Sequence, residues 1–468
     1  MNPYDFVPFP NTINRVIIAN ANKHGKFNPS LLSGYMECEL ETKTKMCIKG
    51  PNNDSFWKED QPPVIPGTSI RGMIRTVCDV IGGGCGNKIE KNYGEVNGCY
   101  FPNPDIEACS KRIKTELIKY SNKDQKSERI KQEFEVCPIC SLFGFIADEV
   151  VFASRISIHD TEPSKNQKIS KILPTIDIKQ LMSPHPHRRS FYFRPGTYTT
   201  QGGEYLGRKF YLHADPKNVL AHKGAIPITV VNEGAKFHFR IDFENLTGSE
   251  LNMLMFALAL EEKWCHKLGY GKPFGLGSVK ISILSLHERN HEYFKDFYQP
   301  EFIDKTNGDI QNLINEFAEQ LKSKSFYDKL KSVMEYSSNS PNWLTYPSYW
   351  LSDNPDGTIE CYNKSEEAKK SEALMKKDAE EQIKKMTESD KKKEKKPKLE
   401  ITVTHSEEKL EIIKVDDVKN KAFVMVDGKE CHFENKLYPL LKKGETIKAR
   451  VERSSTGEIK VVCKNRIK

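Results

Sequence analysis

No stretch of about 18 apolar residues occurs in the 468-residue sequence, so no membrane-crossing helix is expected. Met1 is followed by Asn2-Pro3-Tyr4-Asp5, without the basic start and apolar core of a secretory leader, and a cytoplasmic protein is the expectation. Without a leader, the 12 cysteines point away from a disulfide scaffold and towards reduced thiols or a metal site. Charge of one sign is also scarce. Lys and Arg number 72 against 64 acids, a net +8, which tilts only slightly towards a polyanionic partner and says nothing about where one would sit.

What is present is a globular composition, 37% hydrophobic and 29% charged, on a chain longer than one core usually fills. Residues 1–300 read as a mixed α/β region. Leu32–Leu40 and Lys236–Phe243 alternate as half-buried strands do, and a strand is expected near 149–158. Thr247 and Glu250 form a capping-box pattern ahead of a helix carrying Leu251, Leu254, Met255 and Leu258 on one face. Residues 82–148 read as a Gly-, Cys- and charge-rich insertion, and 162–215 as a β-hairpin excursion from the core. Residues 301–362 are read as a helical extension, with Ile310, Leu313, Ile314, Phe317 and Leu321 in helical period. Residues 363–399 are almost all charged or small, a solvated helix or linker. Residues 400–468 return to strands, with Asp427-Gly428 as a hairpin turn, and suggest a small OB-like β-barrel.

Three groups of residues carry chemistry. The loop Lys267–Gly277 combines Gly269, Gly271, Gly275 and Gly277 with Lys267 and Lys272, a composition suited to phosphate. No Gly-Lys-Ser/Thr follows, so it is not a Walker loop, and it precedes a strand, the reverse of a dinucleotide fingerprint. The stretch Val64–Arg75 predicts a helix capped by Thr68 or Ser69, with Arg71 and Arg75 one turn apart as candidate phosphate grips. Cys137 and Cys140 form a CxxC, and no histidine lies between Cys78 and Cys140, so a metal site here would be all-cysteine. The preferred ligand set is Cys85, Cys109, Cys137 and Cys140 around a structural Zn, with Cys99 as substitute.

Taken together, Pro66–Gly72 before a helix and Gly269–Val279 resemble the signature helix and Gly-rich loop of the RAMP superfamily of CRISPR-associated proteins. Cys137–Gly144 is similar to the family's Cys-Pro-x-Cys-x-Leu-Phe-Gly segment, and Ser154–Asp160 to the strand after it. Asp5–Phe9 and Gly207–Tyr211 resemble a subgroup of long backbone-type members. The resemblance covers about residues 1–290.

It implies an α+β protein with a ferredoxin-like (RRM-like) core. It further implies a guide-RNA-binding backbone subunit of a type III-like effector in the prokaryotic cytoplasm. The implied partners are guide RNA, target RNA, further copies of the chain and other CRISPR effector subunits, with no membrane. The excursion at 162–215 would be the thumb that wedges between bases, with His187, Arg188 and Arg189 beside Phe191, Tyr192 and Phe193. Ser69, Arg71, Arg75, Arg155, Gly269, Gly271, Lys272, Gly275 and Gly277 complete the expected RNA-binding set. In related subunits an acidic residue before the signature helix promotes Mg²⁺-dependent target cleavage; here Asp54 is the candidate and Asp60 the substitute. The alternative is an endoribonuclease that processes guide precursor, for which His159, His185, His187, His213 and His266 are the available bases.

Overall fold

The computed structural model describes residues 1–17, 28–49, 62–86, 107–118, 134–147, 150–164, 175–179, 181, 189–197, 203–214, 225–337, 343–344, 350–354, 357–394, 403–416, 421–434, 441–454 and 459–466. Asp54, Asp60, Cys99, His185, His187 and Arg188 lie outside the described residues. Contacts within the chain divide it into two units, Met1–Lys384 and Lys385–Lys468.

The first unit is built on a strand–helix–strand–strand–helix–strand series. These elements are β1 (Leu32–Thr42), α1 (Gly67–Ile81), β2 (Ile156–Ile158), β3 (Lys236–Leu246), α2 (Gly248–Ala259) and β4 (Ser278–Arg289). Their order across the sheet is β4-β1-β3-β2, each neighbour antiparallel. The period-2 alternation sends Met36, Cys38 and Leu40 of β1, and Phe237, Phe239, Ile241 and Phe243 of β3, into the main core. Each such side chain contributes about 1.5–3 kcal/mol by leaving water. Both α1 and α2 pack into that core. The alternate residues of β1 and β3 carry charge. Glu39 pairs with Lys236 at 2.7 Å, Glu37 with His238 at 3.2 Å and Asp242 with Arg240 at 2.6 Å.

The capping box at α2 is formed: Glu250 N–H donates to Thr247 Oγ1 (3.2 Å), and the Glu250 carboxylate accepts from Thr247 N–H (2.9 Å). Beyond the expected face, Met253, Phe256 and Ala257 are also buried, because the helix Asn307–Lys322 lies against α2.

The 162–215 stretch contains Thr175–Lys179, paired with Ala225–Thr229 beyond the stretch, and Arg208–Tyr211, paired with Tyr4–Val7. Phe191, Tyr192 and Phe193 do not stand out for wedging between bases. All three are buried, at 1%, 3% and 1% exposure, in a cluster with Tyr4, Phe6, Trp350 and Tyr362. Burying three aromatic rings against others outweighs holding them in water, which corrects the expectation that these aromatics serve a strand-splaying arm. Arg189 begins the short helix Arg189–Tyr192.

The second unit contains a five-stranded antiparallel sheet. Val403–Asp416 pairs through its later half with Lys421–Val426 and through its earlier half with Thr446–Ser454. Lys429–Glu434 and Ile459–Arg466 complete the order at either side and approach each other, so the sheet nearly closes into a barrel. Ile412, Val424, Ile447 and Val451 are fully buried inside it. The hairpin turn takes Asp427 and Gly428 to φ of 49° and 77°, the left-handed pair a two-residue turn needs. The charged stretch is helical over Glu366–Glu394.

Candidate nucleic-acid interface and metal centre

One flank of α1 and the Gly-rich loop, about 200 residues apart in sequence, meet across a cavity of about 410 Å³. Ser69, Gly72, Met73 and Thr76 form the α1 wall. Gly269, Lys267 and Lys272 come from the loop, and Lys209 and Tyr211 from the strand Arg208–Tyr211. The three lysines are half-buried, and no carboxylate lies within 4.0 Å of their ammonium groups among the described residues. Lys209 rests 3.7 Å from the Tyr4 ring centre and donates to Tyr192 Oη at 3.1 Å. Lys267 donates to the carbonyls of Gly275 (2.9 Å) and Leu276 (3.1 Å).

Burial, and then the nearby Lys272 charge, push the Lys209 and Lys267 ammonium groups down to about 7. Burial also lowers Lys272. Packing cations together without counter-charge is costly, and an anion in the cavity removes that cost.

Part of the loop's backbone is already engaged within the protein. The N–H groups of Tyr270, Phe274, Gly275 and Gly277 donate to Cys47, Gly271, Lys272 and Lys45 carbonyls. This corrects Gly275 and Gly277 as phosphate donors. Gly277 is required for another reason: its φ is +75°, and a Cβ there would lie 1.9 Å from the Leu268 carbonyl oxygen. Gly271 also has positive φ, and Leu276 packs against it.

The N-terminus of α1 departs from expectation too. Neither Thr68 nor Ser69 caps it; the helix begins at Gly67, whose N–H donates to the Asp160 carboxylate at 2.7 Å. A carboxylate from the segment after β2 thus occupies the positive helix end. Ser69 is left to line the cavity.

Arg71 and Arg75 do share a face, but it is the other flank of α1. Arg71 donates to the Phe143 carbonyl and to Ser154 Oγ (3.1 Å). Arg75 is 6% exposed and donates to the Gly144 carbonyl (3.0 Å) and towards Cys140 Sγ (3.6 Å). Arg155 is buried, paired with Glu250, and donates to the carbonyls of Ser141 and Asn245. These three guanidiniums brace protein elements, where spacing for Arg71 and Arg75, and the family resemblance for Arg155, had led to the expectation of RNA contact.

Cys85, Cys109, Cys137 and Cys140 meet beside that flank. Their sulfurs all lie within 4.8 Å of one another and all four residues are buried. Cys85 and Cys140 Sγ are 3.6 Å apart. Zn–S bonds of about 2.3 Å in a tetrahedron imply a separation of about 3.8 Å, so the donor set and spacing fit a metal ion such as zinc. The short helix Pro138–Phe143 explains the local geometry: its first turn brings Cys140 N–H to Cys137 Sγ at 3.3 Å. Cys137 N–H donates to Cys109 Sγ (3.2 Å), and Arg15 Nη1 to the same sulfur (3.0 Å). Hydrogen bonds among the thiols hold Cys85 and Cys109 below the ordinary thiol range. Burial pushes Cys137 up, and hydrogen bonding with Cys109 does the same for Cys140. Arg15 and Arg75 supply the positive charge that a four-thiolate site requires.

A family model, the RAMP superfamily, matches residues 39–280, just over half of the chain. The protein belongs to the RAMP superfamily. No curated protein matches it. Membership supports a CRISPR-associated, RNA-binding role with RNA and CRISPR-complex partners. The match spans β1 through the start of β4 and therefore both walls of the cavity.

Lys209 is the residue that sequence reasoning undervalued. It was visible only inside the Gly207–Tyr211 motif, and nothing in spacing says that this strand pairs with Tyr4–Val7 beside the Gly-rich loop. The histidines near the cavity are buried and hydrogen-bonded within the protein. His213 is held between Ser278 Oγ (2.8 Å) and the Cys265 carbonyl (3.1 Å), and burial keeps it far below the usual histidine range. His266 bonds the Leu258 carbonyl at 3.0 Å, and burial lowers it to about 4. Among the described residues no helix is long and apolar enough to cross a membrane.

Proposed function

We propose that this protein is a guide-RNA-binding backbone subunit of a CRISPR effector, repeated along the guide and contacting target RNA and other subunits. The single observation that carries the reading is the cavity itself. The Gly-rich loop and the strand Arg208–Tyr211 deliver three ammonium groups to one place beside the signature helix, and no described carboxylate answers them. A phosphodiester backbone supplies that charge. Ser69, Gly269, Lys209, Lys267 and Lys272 are the residues assigned to it. The β4-β1-β3-β2 order supports a ferredoxin-like core. The pairing order of the second unit supports an OB-like barrel.

The cysteine site would hold zinc as a structural staple. Zinc there supplies cohesion and no hydrolysis, because four protein sulfurs fill a tetrahedron. Mg²⁺-dependent cleavage draws no support from the described residues. For precursor processing, His213 and His266 are buried away from any substrate, whereas His159 is exposed beside Asp242.

The test is binding of a labelled guide to the Lys209→Ala, Lys272→Ala double variant across a salt series. Affinity is expected to fall about tenfold or more, and the salt slope to flatten by roughly 0.7 per lost phosphate contact. Unchanged affinity and slope would remove the cavity from the RNA path.

A further inference from the structure

The second unit, outside the matched family region, carries a face of its own. Three of its cations are matched by carboxylates: Lys448 by Glu407 (2.7 Å), Arg450 by Glu452 (3.3 Å), and Arg453 by Glu408 and Asp427 (both 2.6 Å). On the outer face of Lys421–Val426 and Lys429–Glu434 the pattern differs. Alternation turns Ala422, Val424 and Val426 into the barrel and leaves Phe423 half-buried and Met425 45% exposed on the outside. Register places exposed His432 opposite Phe423, with ring centres 5.8 Å apart and planes at 43°. On the other side of Phe423 the register places Lys414, whose Nζ is 5.3 Å from the ring centre. Lys421 Nζ lies 3.0 Å from His432 Nε2. No carboxylate lies within 4.0 Å of the Lys414 or Lys421 ammonium among the described residues. The register also places Asp416 and Glu434 opposite Lys421, and Glu430 opposite Met425, so the basic and aromatic part of the face is centred on Lys414, Phe423 and His432.

We propose that this face binds single-stranded nucleic acid, with bases stacking on Phe423 and His432 and phosphates held by Lys414 and Lys421. An outward ring next to an imidazole offers π-faces that every base can use, and flanking ammonium groups track the backbone. A duplex offers no free base face here. A protein partner would call for a broader apolar patch, whereas among the described residues of this unit Met425 is the only large exposed apolar side chain.

The test uses the full chain in the Lys209→Ala, Lys272→Ala background, so that any grip by the first unit is reduced and the two sites fail separately. Fluorescence anisotropy measures a labelled single-stranded 12-mer (about 4–16 nucleotides suit one such barrel), and a 5-iodouridine version is photocrosslinked and mapped. Phe423→Leu keeps apolar bulk but removes the π-face, and is expected to weaken binding about tenfold. Phe423→Trp should restore it, and crosslinks should map to 421–434. A same-length duplex should show no dependence on Phe423. Equal affinity for Phe423→Leu, with crosslinks confined to 1–384, would overturn the proposal and leave the face to a protein partner.

Discussion

Lys209 and Lys267 sit near half-charge at neutral pH, because burial and Lys272 have brought both down from 10.5 to about 7. The sign of the consequence follows. In the free protein the unfolded chain holds more protons than the folded one between about 7 and 10.5, so the contribution of these two groups to stability rises with pH across that window. A bound phosphate favours the charged forms. RNA binding is therefore expected to take up protons and to tighten as pH falls from about 8 to 6. Calorimetry in buffers of different ionisation enthalpy measures the uptake, and an affinity flat over that range would remove the lysines from the contact. At this scale the sequence was only half legible. Spacing correctly put Arg71 and Arg75 on one face of α1, but periodicity does not say what that face meets. It meets the Phe143 and Gly144 carbonyls and a cysteine sulfur.

Elements were more legible than their surroundings. The capping box ahead of α2, the alternation of β1 and β3 and the Asp427-Gly428 turn are local features, fixed by residues within a few positions of one another. The α1 N-terminus misled because its cap, Asp160, comes from a distant segment. Two substitutions measure what the elements contribute. Thr247→Ala is expected to cost about 1 kcal/mol of stability through loss of the cap. Phe239→Ala, at a site 2% exposed between β3 and the helices, is expected to cost about 3–5 kcal/mol. Denaturant midpoints at constant slope would report both, and a smaller loss for Phe239→Ala than for Thr247→Ala would contradict the core assignment.

On the scale of the whole molecule, the cysteine ligands come from segments more than 20 residues apart in sequence, Cys85, Cys109 and the Cys137/Cys140 pair, so zinc is expected to staple those segments together. Elemental analysis should find one zinc per chain, and Cys137→Ser should release it and lower the melting temperature by about 4 °C, as a loss of about 3 kcal/mol does in a unit of this size. The cysteines were legible because CxxC and the absent histidines constrain ligand type, whereas the cavity was not, because three separate segments build it. Those two sites have one helix in common. α1 turns Arg71 and Arg75 to the cysteines and Ser69, Gly72 and Thr76 to the lysines. It is a party wall, and a cell short of zinc would find the tenant on the far side losing its hold on RNA, with no phosphate contact ever touched.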